Sequence, residues 1–433
     1  MKQLITIWAV ACFSFFLTNG FSQENIVLRS NTPLPSTGTD VWGYVDPESG
    51  TEFALIGTFQ NNVYIYDLSD PDNPQLAATT SVPGFDIKTF GKYMYTVTGS
   101  NNGDGSIVDI EDPYNPVNVG NFPSAHNIWI DEANGYLYAE CTGLKIYDLN
   151  IDPTQPVEVF DNGVLSCHDA VVLGNRLFNF AGGSGTYIYD ITDPTQPAFL
   201  GGIVDPTIQY HHSGWTTEDG DYLYICDELI DDPGADITIW DIRDLDNPIR
   251  VGELKSPTAI VHNIYVIGDV AFVSYYADGL KLFDVSDPVN PVLIDEFDTA
   301  PDLSEEVFGG AFGVYPFLPS GLVLVSDMQA GLFVFDLEAS TSVAEIPQLG
   351  SIDAKPNPFS DYLEIDLLLD LSAEVQVALV DLLGRTVALH EIGLVAQGET
   401  TVRFETGSLP AGTYFYQAIV DGAVASGKVM LVR

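Results

Sequence analysis

Basic residues are scarce in this 433-residue chain. It has 15 lysine and arginine residues against 61 aspartate and glutamate residues, which gives a formal net charge of −46 at pH 7. Nucleic-acid binding requires clustered lysine and arginine, so this balance excludes a nucleic-acid partner and disfavours anionic membranes. The acidic surface is expected to keep an exported protein soluble. Charge alone leaves open whether some of the carboxylates bind divalent cations.

Cysteine is also rare, with four residues in the whole chain. Cys12 lies in an N-terminal segment that is expected to be removed, which leaves Cys141, Cys167 and Cys226. Three thiols allow at most one disulfide, and a bond between Cys141 and Cys167 is one possibility. Stability is therefore expected to come mainly from hydrophobic cores, which a chain of this length can build.

Long apolar runs are missing after the N-terminal segment. No later stretch reaches roughly 18 consecutive apolar residues, so no transmembrane segment is expected. In residues 1–22, Lys2 precedes an apolar run, and Gly20 and Ser22 stand shortly before a plausible cleavage site ahead of Gln23. This order is typical of a secretory signal peptide and predicts export.

Helical periodicity is missing between residues 24 and 340, where a repeat stands instead. An apolar strand runs into an aspartate seven times, and most of these strands lead into an Asp-Pro turn closed by a second proline. The strand-end aspartates are Asp67, Asp109, Asp148, Asp190, Asp241, Asp284 and Asp336. Their spacing of roughly 39 to 52 residues is typical of propeller blades.

Each repeat divides into four short strands separated by turn residues, most clearly over residues 262–297. The fold class that follows is all-β, with a seven-bladed β-propeller over residues 23–340. The seventh repeat lacks a fourth strand. The segment Ile26–Asn31, which follows no earlier repeat, is predicted to pair there and close the ring, so that no open edge strand remains.

A different module is predicted after the propeller, with a linker at residues 341–351 and a small immunoglobulin-like β-sandwich at residues 352–433. Its motifs are Lys355–Phe359, Asp381–Arg385, Leu409–Tyr414 and Gly427–Val429. In this order they resemble the type A C-terminal sorting domain of the type IX secretion system. The resemblance implies a Bacteroidetes-type Gram-negative source and a partner, the type IX secretion machinery. It also implies export across the outer membrane, followed by release or attachment at the cell surface.

The repeats have a counterpart of their own. The stretch Val63–Pro71 resembles the LVIVD repeat of surface proteins, and the longer series is similar to the choice-of-anchor B family. The matching stretches are Asp40–Asp46, Phe85–Lys88, Ala125–Ile128, Cys167–Asp169, His212–Trp215 and Val314–Phe317. The resemblance implies an extracellular body joined to a variable C-terminal anchoring or sorting module. It implies no established activity, so function must be argued from the residues.

Four histidines open the first strand of four successive repeats. They are His126, His168, His212 and His262. The first strand of a blade is innermost, so these side chains are predicted to share one mouth of the central channel. Repeats one and two are predicted to have Val41 and Phe85 at the same place.

Polar residues accompany these histidines. The residues that follow them are Asn127, Asp169, Ser213 and Asn263, with Asp86 at the corresponding place of the second repeat. Four acidic residues after the second strand of the fifth repeat are predicted to lean over the same mouth. These are Asp227, Glu228, Asp231 and Asp232. Trp129 and Trp215 stand in innermost strands and are candidates, with Asn127 and Asn263, for lining a ligand pocket.

Two interpretations of the histidines stay open. Imidazoles with carboxylates suit a divalent metal such as zinc, manganese or iron, whereas each histidine can instead hydrogen-bond the backbone of the adjacent blade. Calcium fits less well, because the strand-end aspartates lack a calcium-binding loop and are expected to cap turns.

The predicted function is that of an exported, non-enzymatic binding module for an extracellular ligand or protein. The alternative is a metal-dependent hydrolase or lyase in which the histidines hold the metal. Asp169, Asp227 or Glu228 would then supply general acid or base chemistry. No nucleophile elbow, phosphate-binding loop or dinucleotide fingerprint is present.

Overall fold

A computed structural model gives the fold of most of the chain. It describes residues 24–100, 102–140, 143–163, 167–229, 234–303, 307–339, 349–381, 386–405, 407, 409, 412–420 and 423–432. Every regular element within these ranges is a β-strand. The same ranges contain no helix long and apolar enough to cross a membrane. The predicted signal peptide, Cys141, Asp231 and Asp232 lie outside the described residues.

Strands β1 to β28 form seven four-stranded antiparallel sheets, which are the blades of a β-propeller. The first three blades are β2 (Gly38–Val45), β3 (Glu52–Thr58), β4 (Asn62–Asp67), β5 (Gln75–Thr80); β6 (Asp86–Phe90), β7 (Tyr93–Val97), β8 (Asp104–Asp109), β9 (Val117–Pro123); and β10 (Asn127–Asp131), β11 (Tyr136–Glu140), β12 (Leu144–Asp148), β13 (Val157–Asp161). The next three are β14 (Asp169–Leu173), β15 (Arg176–Phe180), β16 (Thr186–Asp190), β17 (Ala198–Ile203); β18 (His211–Thr216), β19 (Tyr222–Asp227), β20 (Ile237–Asp241), β21 (Ile249–Leu254); and β22 (Val261–Ile267), β23 (Val270–Tyr275), β24 (Gly279–Asp284), β25 (Val292–Phe297). The predicted seven-bladed propeller is confirmed.

The seventh blade combines both ends of the propeller sequence. It consists of β26 (Ala311–Tyr315), β27 (Val323–Asp327), β28 (Gly331–Ala339) and β1 (Glu24–Thr32), with β1 outermost and antiparallel to β28. The backbone N–H of Ile26 donates to Asp295 of the sixth blade at 2.7 Å. Arg29 pairs with Asp336 of the seventh blade at 3.1 Å and with Asp72 of the first blade at 2.7 Å. The N-terminal strand therefore connects three blades.

The strand-end aspartates cap the turns that follow them. A carboxylate oxygen of Asp67 accepts the backbone N–H of Ser69 at 2.7 Å, and that of Asp284 accepts the N–H of Ser286 at 2.8 Å. The same bond to the second residue onward is made by Asp109, Asp148, Asp190 and Asp241. This is the local turn chemistry that aspartate favours, and it supports the turn-capping interpretation.

Two of the Asp-Pro turns also receive a tyrosine from the preceding blade. The hydroxyl of Tyr95 in β7 donates to the carbonyl oxygen of Pro153 at 2.5 Å, and that of Tyr224 in β19 donates to Pro288 at 3.2 Å. Both tyrosine residues are almost completely buried between blades. At these two places a rigid turn is thus combined with a buried aromatic contact from one blade to the next.

The C-terminal module is a sandwich of two antiparallel sheets. Its strands are β29 (Leu349–Lys355), β30 (Tyr362–Leu369) and β33 (Gly398–Glu405) in one sheet, and β31 (Ala373–Asp381), β32 (Thr386–Val395), β34 (Gly412–Val420) and β35 (Ala423–Leu431) in the other. Alternate residues of facing strands, such as Leu363, Ile365, Val377 and Ala418, form one buried core. The predicted β-sandwich is confirmed.

Candidate functional site

The strand register shows which residues share a level of the channel. In the first blade Trp42 is opposite Leu55, just as Trp215 is opposite Tyr224 in the fifth. Counting three residues back from these positions places Thr39 level with His212. The prediction of Val41 at this level was wrong, because the collar residue stands three residues before the aromatic residue of its innermost strand, and that count from Trp42 reaches Thr39. Val41 instead packs in a buried cluster between blades.

Six aromatic and imidazole rings form a closed circle at this level, which we call the ring collar. The centroid distances are 5.0 Å for Phe85–His126, 4.4 Å for His126–His168, 4.5 Å for His168–His212, 4.4 Å for His212–His262, 4.1 Å for His262–Phe312 and 5.8 Å for Phe312–Phe85. The four histidines are thus neighbours along one side of the channel. Two phenylalanine residues complete the circle.

Backbone contacts account for two of the four histidines. Nδ1 of His262 lies 2.6 Å from the carbonyl oxygen of Phe312, and Nδ1 of His126 lies 2.8 Å from that of Gly99. A carbonyl oxygen only accepts, so both rings carry a proton on Nδ1. Among the described residues, the Nδ1 atoms of His168 and His212 lack a hydrogen bond of this geometry, but the backbones of His212 and His262, respectively, lie close to these two rings. Hydrogen bonding to an adjacent blade therefore explains part of the histidine series.

Glu228 brings a carboxylate to these histidines. It directly follows β19, and its Oε2 lies 3.4 Å from Nε2 of His212, while its Oε1 lies 3.9 Å from Nε2 of His262. The hydroxyl of Tyr276 donates to Oε1 at 2.6 Å and fixes the carboxylate. Three potential ligand atoms, one each from His168, His212 and Glu228, lie within 4.8 Å of one another.

Asp227 has a different place from its neighbour. Its carboxylate accepts the backbone N–H groups of Gln209 at 2.8 Å and Tyr210 at 2.7 Å. Two such bonds anchor the segment that leads into β18, and Asp227 does not line the cavity at the mouth. Strand alternation explains the difference, since consecutive residues point in opposite directions.

Burial determines the charge state of the mouth. It lowers the pKa of His168 and His212 well below the ordinary value of 6.5, and the neighbouring imidazoles add to the shift. Burial also lowers the pKa of His262, to about 3, and raises the pKa of Glu228 to about 7, although the Tyr276 hydrogen bond opposes the latter. These imidazoles are neutral at pH 7, which is the form that binds metal ions.

A buried polar layer lies directly beneath the ring collar. The ammonium of Lys88 lies 2.5 Å from Asp86 and 3.1 Å from Asp40, and 4.5 Å above the ring of Trp42. Burial raises the pKa of Asp169 in the same layer to about 7. Glu140 is also fully buried, and its carboxyl oxygens have no hydrogen-bond partner among the described residues.

Lys88 and Asp40 belong to the site but were not predicted from the sequence. The available signal was a single lysine in the first strand of the second blade, at the position where five of the other six blades have tryptophan or tyrosine. A buried ammonium must be paired, and this requirement points to neighbouring carboxylates.

The mouth leads into a small cavity of about 120 Å³. Asn127, Asn263, Trp129 and Trp215, the predicted ligand-binding residues, all line it together with the ring collar and Asp169. The rings of Trp129 and Trp215 contact each other with centroids 5.7 Å apart. Organic ligands of drug size occupy roughly 300 to 1,000 Å³, so this cavity suits an ion with a few water molecules.

Two exposed phenylalanine residues stand beside the ring collar, and we call them the aromatic rim. Phe59 is 47% exposed and its ring contacts Phe85 at 5.7 Å between centroids. Phe308 is 48% exposed and contacts Tyr276 at 5.5 Å. The mouth therefore presents apolar surface around a polar centre.

Replacing Glu228 with glutamine is expected to change how stability depends on pH in metal-free buffer. The carboxyl binds a proton more tightly in the folded chain, since its pKa is about 7 there against an ordinary 4.5. The protonated carboxyl therefore contributes fully to the free energy of unfolding below pH 4.5. This contribution is lost as the pH rises to about 7, and above that pH it no longer changes. Glutamine does not titrate. The free energy of unfolding of Glu228→Gln, relative to that of the parent chain, should therefore rise by up to about 3 kcal/mol between pH 4.5 and pH 8.

Denaturant unfolding at pH 5, 6, 7 and 8 in the presence of a chelator measures this difference. The exposed Glu48 supplies the matched control, and Glu48→Gln should follow the parent chain at every pH. A constant difference between Glu228→Gln and the parent chain across this range would show that the carboxyl has an ordinary pKa.

The fold and the C-terminal module together define the class of protein: an exported β-propeller that carries a sorting domain. Residues 355–432 match the family model of the secretion system C-terminal sorting domain, and residues 260–299 match that of the LVIVD repeat. The predicted resemblances to these two families are confirmed, and the sorting domain indicates type IX export to the cell surface or medium. The choice-of-anchor B resemblance stays a prediction. No curated protein matches the chain.

Solved structures share the architecture at low sequence identity. The β-propeller domain of Cps50 (Swd1) from Myceliophteria thermophila is 13% identical over 71% of this chain and 98% of that chain, with a TM-score of 0.50. PorZ, an essential bacterial surface component of the type IX secretion system of Porphyromonas gingivalis, is 14% identical with a TM-score of 0.46. That match covers 89% of this chain and 58% of the PorZ chain. At this identity the Cps50 match shows the fold alone.

Proposed function

We propose that this chain is a non-enzymatic binding module that captures an extracellular protein segment at the mouth bearing the ring collar. The observation that carries the proposal is the aromatic rim: Phe59 and Phe308 are about half exposed on either side of a polar centre. Exposed aromatic residues around a recessed pocket are typical of the energetically dominant part of an interface. The sorting domain supports a place outside the cell, where such a partner would be met.

Charge defines the chemistry of the partner. A net charge of −46 attracts basic segments and repels acidic ones. Apolar or aromatic side chains would pack on the rim, and lysine or arginine would approach the acidic surface around it. The expected partner is therefore a basic segment that contains aromatic residues.

Three features favour binding over catalysis. Asp227 is occupied by two backbone N–H groups. A carboxylate oxygen of Asp169 accepts the N–H of Ala170 at 2.7 Å, below the level of the ring collar. The cavity of about 120 Å³ has room for a few water molecules but not for an enclosed organic substrate.

Peptide selection on the full chain tests the proposal. A displayed peptide library should yield basic, aromatic-containing peptides that compete with one another for a single site. The double variant Phe59→Ala with Phe308→Ala should weaken their binding by at least about tenfold, the effect of losing dominant interface side chains. The matched control is Phe199→Ala, which removes a 62% exposed phenylalanine from an outermost strand and should leave affinity unchanged.

Two results would contradict the proposal. One is that the selected peptides bind equally well to the double variant. The other is that they require Phe199, which would place the binding surface on the outer edge of the blades.

A further inference from the structure

Two hydrogen-bond acceptors face each other at the mouth. His262 donates from Nδ1 to the carbonyl of Phe312, so its Nε2 has a lone pair. That atom lies 3.9 Å from the carboxylate of Glu228, which itself accepts from Tyr276. When the carboxylate is ionised, neither atom has a proton to donate, so this form of the pair requires a proton or a cation nearby. The arrangement favours a positive ion at the mouth.

The spacing of the donor atoms suits a small divalent ion. Bonds of about 2.0 to 2.2 Å place neighbouring ligands of a tetrahedral ion roughly 3.3 to 3.5 Å apart. Nε2 of His212 and Oε2 of Glu228 are already 3.4 Å apart. The ligand atom of His168 lies within 4.8 Å of both, so side-chain rotation of roughly 1 Å completes three corners.

The surroundings hold these groups as the second shell of a metal site does. Tyr276 orients Glu228 by its hydroxyl, and the backbone of His262 lies beside the imidazole of His212 as an outer hydrogen-bonding group. His212 is 4% exposed, so its imidazole is a buried polar group at the site itself. Outer hydrogen bonds of this kind fix ligand geometry and affect affinity by about 10- to 100-fold.

The donor set selects the class of ion. Two imidazole nitrogens and one carboxylate oxygen suit zinc and its first-row neighbours, whereas calcium requires six to eight oxygen ligands. Charge agrees with this choice, because the nearest cation of the polar layer, Lys88, is already paired with Asp40 and Asp86. The mouth is therefore free of an uncompensated positive charge that would repel the ion.

We infer that a divalent transition-metal ion of the zinc class binds between His168, His212 and Glu228, with its fourth coordination position open to the mouth. The inference rests on the proposed function, since the mouth is also the proposed binding surface. The open position would be filled by water in the free protein and by a donor side chain of the captured segment. The ion would thus anchor the partner at the centre of the aromatic rim.

Zinc titration of the chelator-treated full chain tests the site. Calorimetry and elemental analysis should show one tightly held ion per chain, and cobalt in its place should give the visible absorption of a tetrahedral complex. The double variant His168→Ala with His212→Ala should weaken zinc binding at least about 100-fold, and Glu228→Gln at least about tenfold. The control His390→Ala removes an exposed imidazole from the C-terminal module and should bind like the parent chain.

The inference is overturned if the parent chain binds no zinc at one equivalent, or if both mouth variants keep the parent affinity. Weak binding of several ions with an octahedral cobalt spectrum would also overturn it, because it would assign zinc to surface carboxylates. Glu228→Gln keeps the shape of the side chain and guards against loss of folding in the alanine variants. Rim-dependent peptide binding without zinc would remove this inference alone, whereas zinc binding without peptide capture would remove the proposed function alone.

Discussion

Replacing Lys88 with alanine is expected to lower the free energy of unfolding by about 3 to 5 kcal/mol, the loss seen when one partner of a buried ion pair is removed. Lys88 is 4% exposed and lies between Asp86 and Asp40. Burial raises the pKa of Asp40, whereas the ammonium lowers the pKa of Asp86 despite burial. Without Lys88, Asp86 is left as a buried charge with no counter-ion in this layer.

Denaturant unfolding at pH 7 measures the change, and Lys92→Ala is the matched control. Lys92 also bridges two carboxylates, those of Asp109 and Glu111, but its side chain is 35% exposed. Removal of a surface pair like this should change stability by less than about 1 kcal/mol. The double variant Lys88→Met with Asp86→Asn should recover part of the stability lost on removing the ammonium, because the unpaired charge of Asp86 is then gone as well. Equal losses for Lys88→Ala and Lys92→Ala would show that the polar layer is hydrated.

Removal of β1 is the second large effect that we expect. A chain that begins at residue 33 leaves β28 without its outer partner and should lose about 5 kcal/mol or more, at about 1 kcal/mol per hydrogen bond plus the burial of Ile26. The loss includes the bond from Ile26 to Asp295 and the pairs of Arg29 with Asp72 and Asp336. Three blades would be affected at once.

Proteolysis and denaturant unfolding of the shortened chain measure this effect. A synthetic peptide of residues 24–32 should restore resistance when added in excess, and a scrambled peptide should not. Unchanged stability of the shortened chain would mean that the other blades close the ring without β1.

Long-range regularities made most of the fold predictable. The aspartate period gave the number of blades because each blade repeats one turn, and two of these turns receive a tyrosine from the preceding blade. The histidines were located correctly relative to one another because the same period fixes their phase. Their contacts form one continuous row from His126 to His262.

The remaining features depend on local geometry that a period does not contain. Thr39 rather than Val41 is level with the collar, because this level is fixed by the distance from Trp42 within β2 and not by the start of the repeat. The roles of Asp227 and Glu228 differ although they are adjacent, since one meets backbone N–H groups and the other meets imidazoles. Lys88 and Glu140 come together with Asp86 and Asp169 only when neighbouring blades pack. Their proximity follows from the packing of the blades and not from their spacing in the sequence.

Anomalous diffraction at the zinc absorption edge is the most direct test of the mouth as a metal-bearing binding site. Crystals of the full chain grown with one equivalent of zinc should show a single strong peak within bonding distance of His168, His212 and Glu228. The account is contradicted if the mouth shows no peak while zinc is found on exposed turn carboxylates such as Asp70.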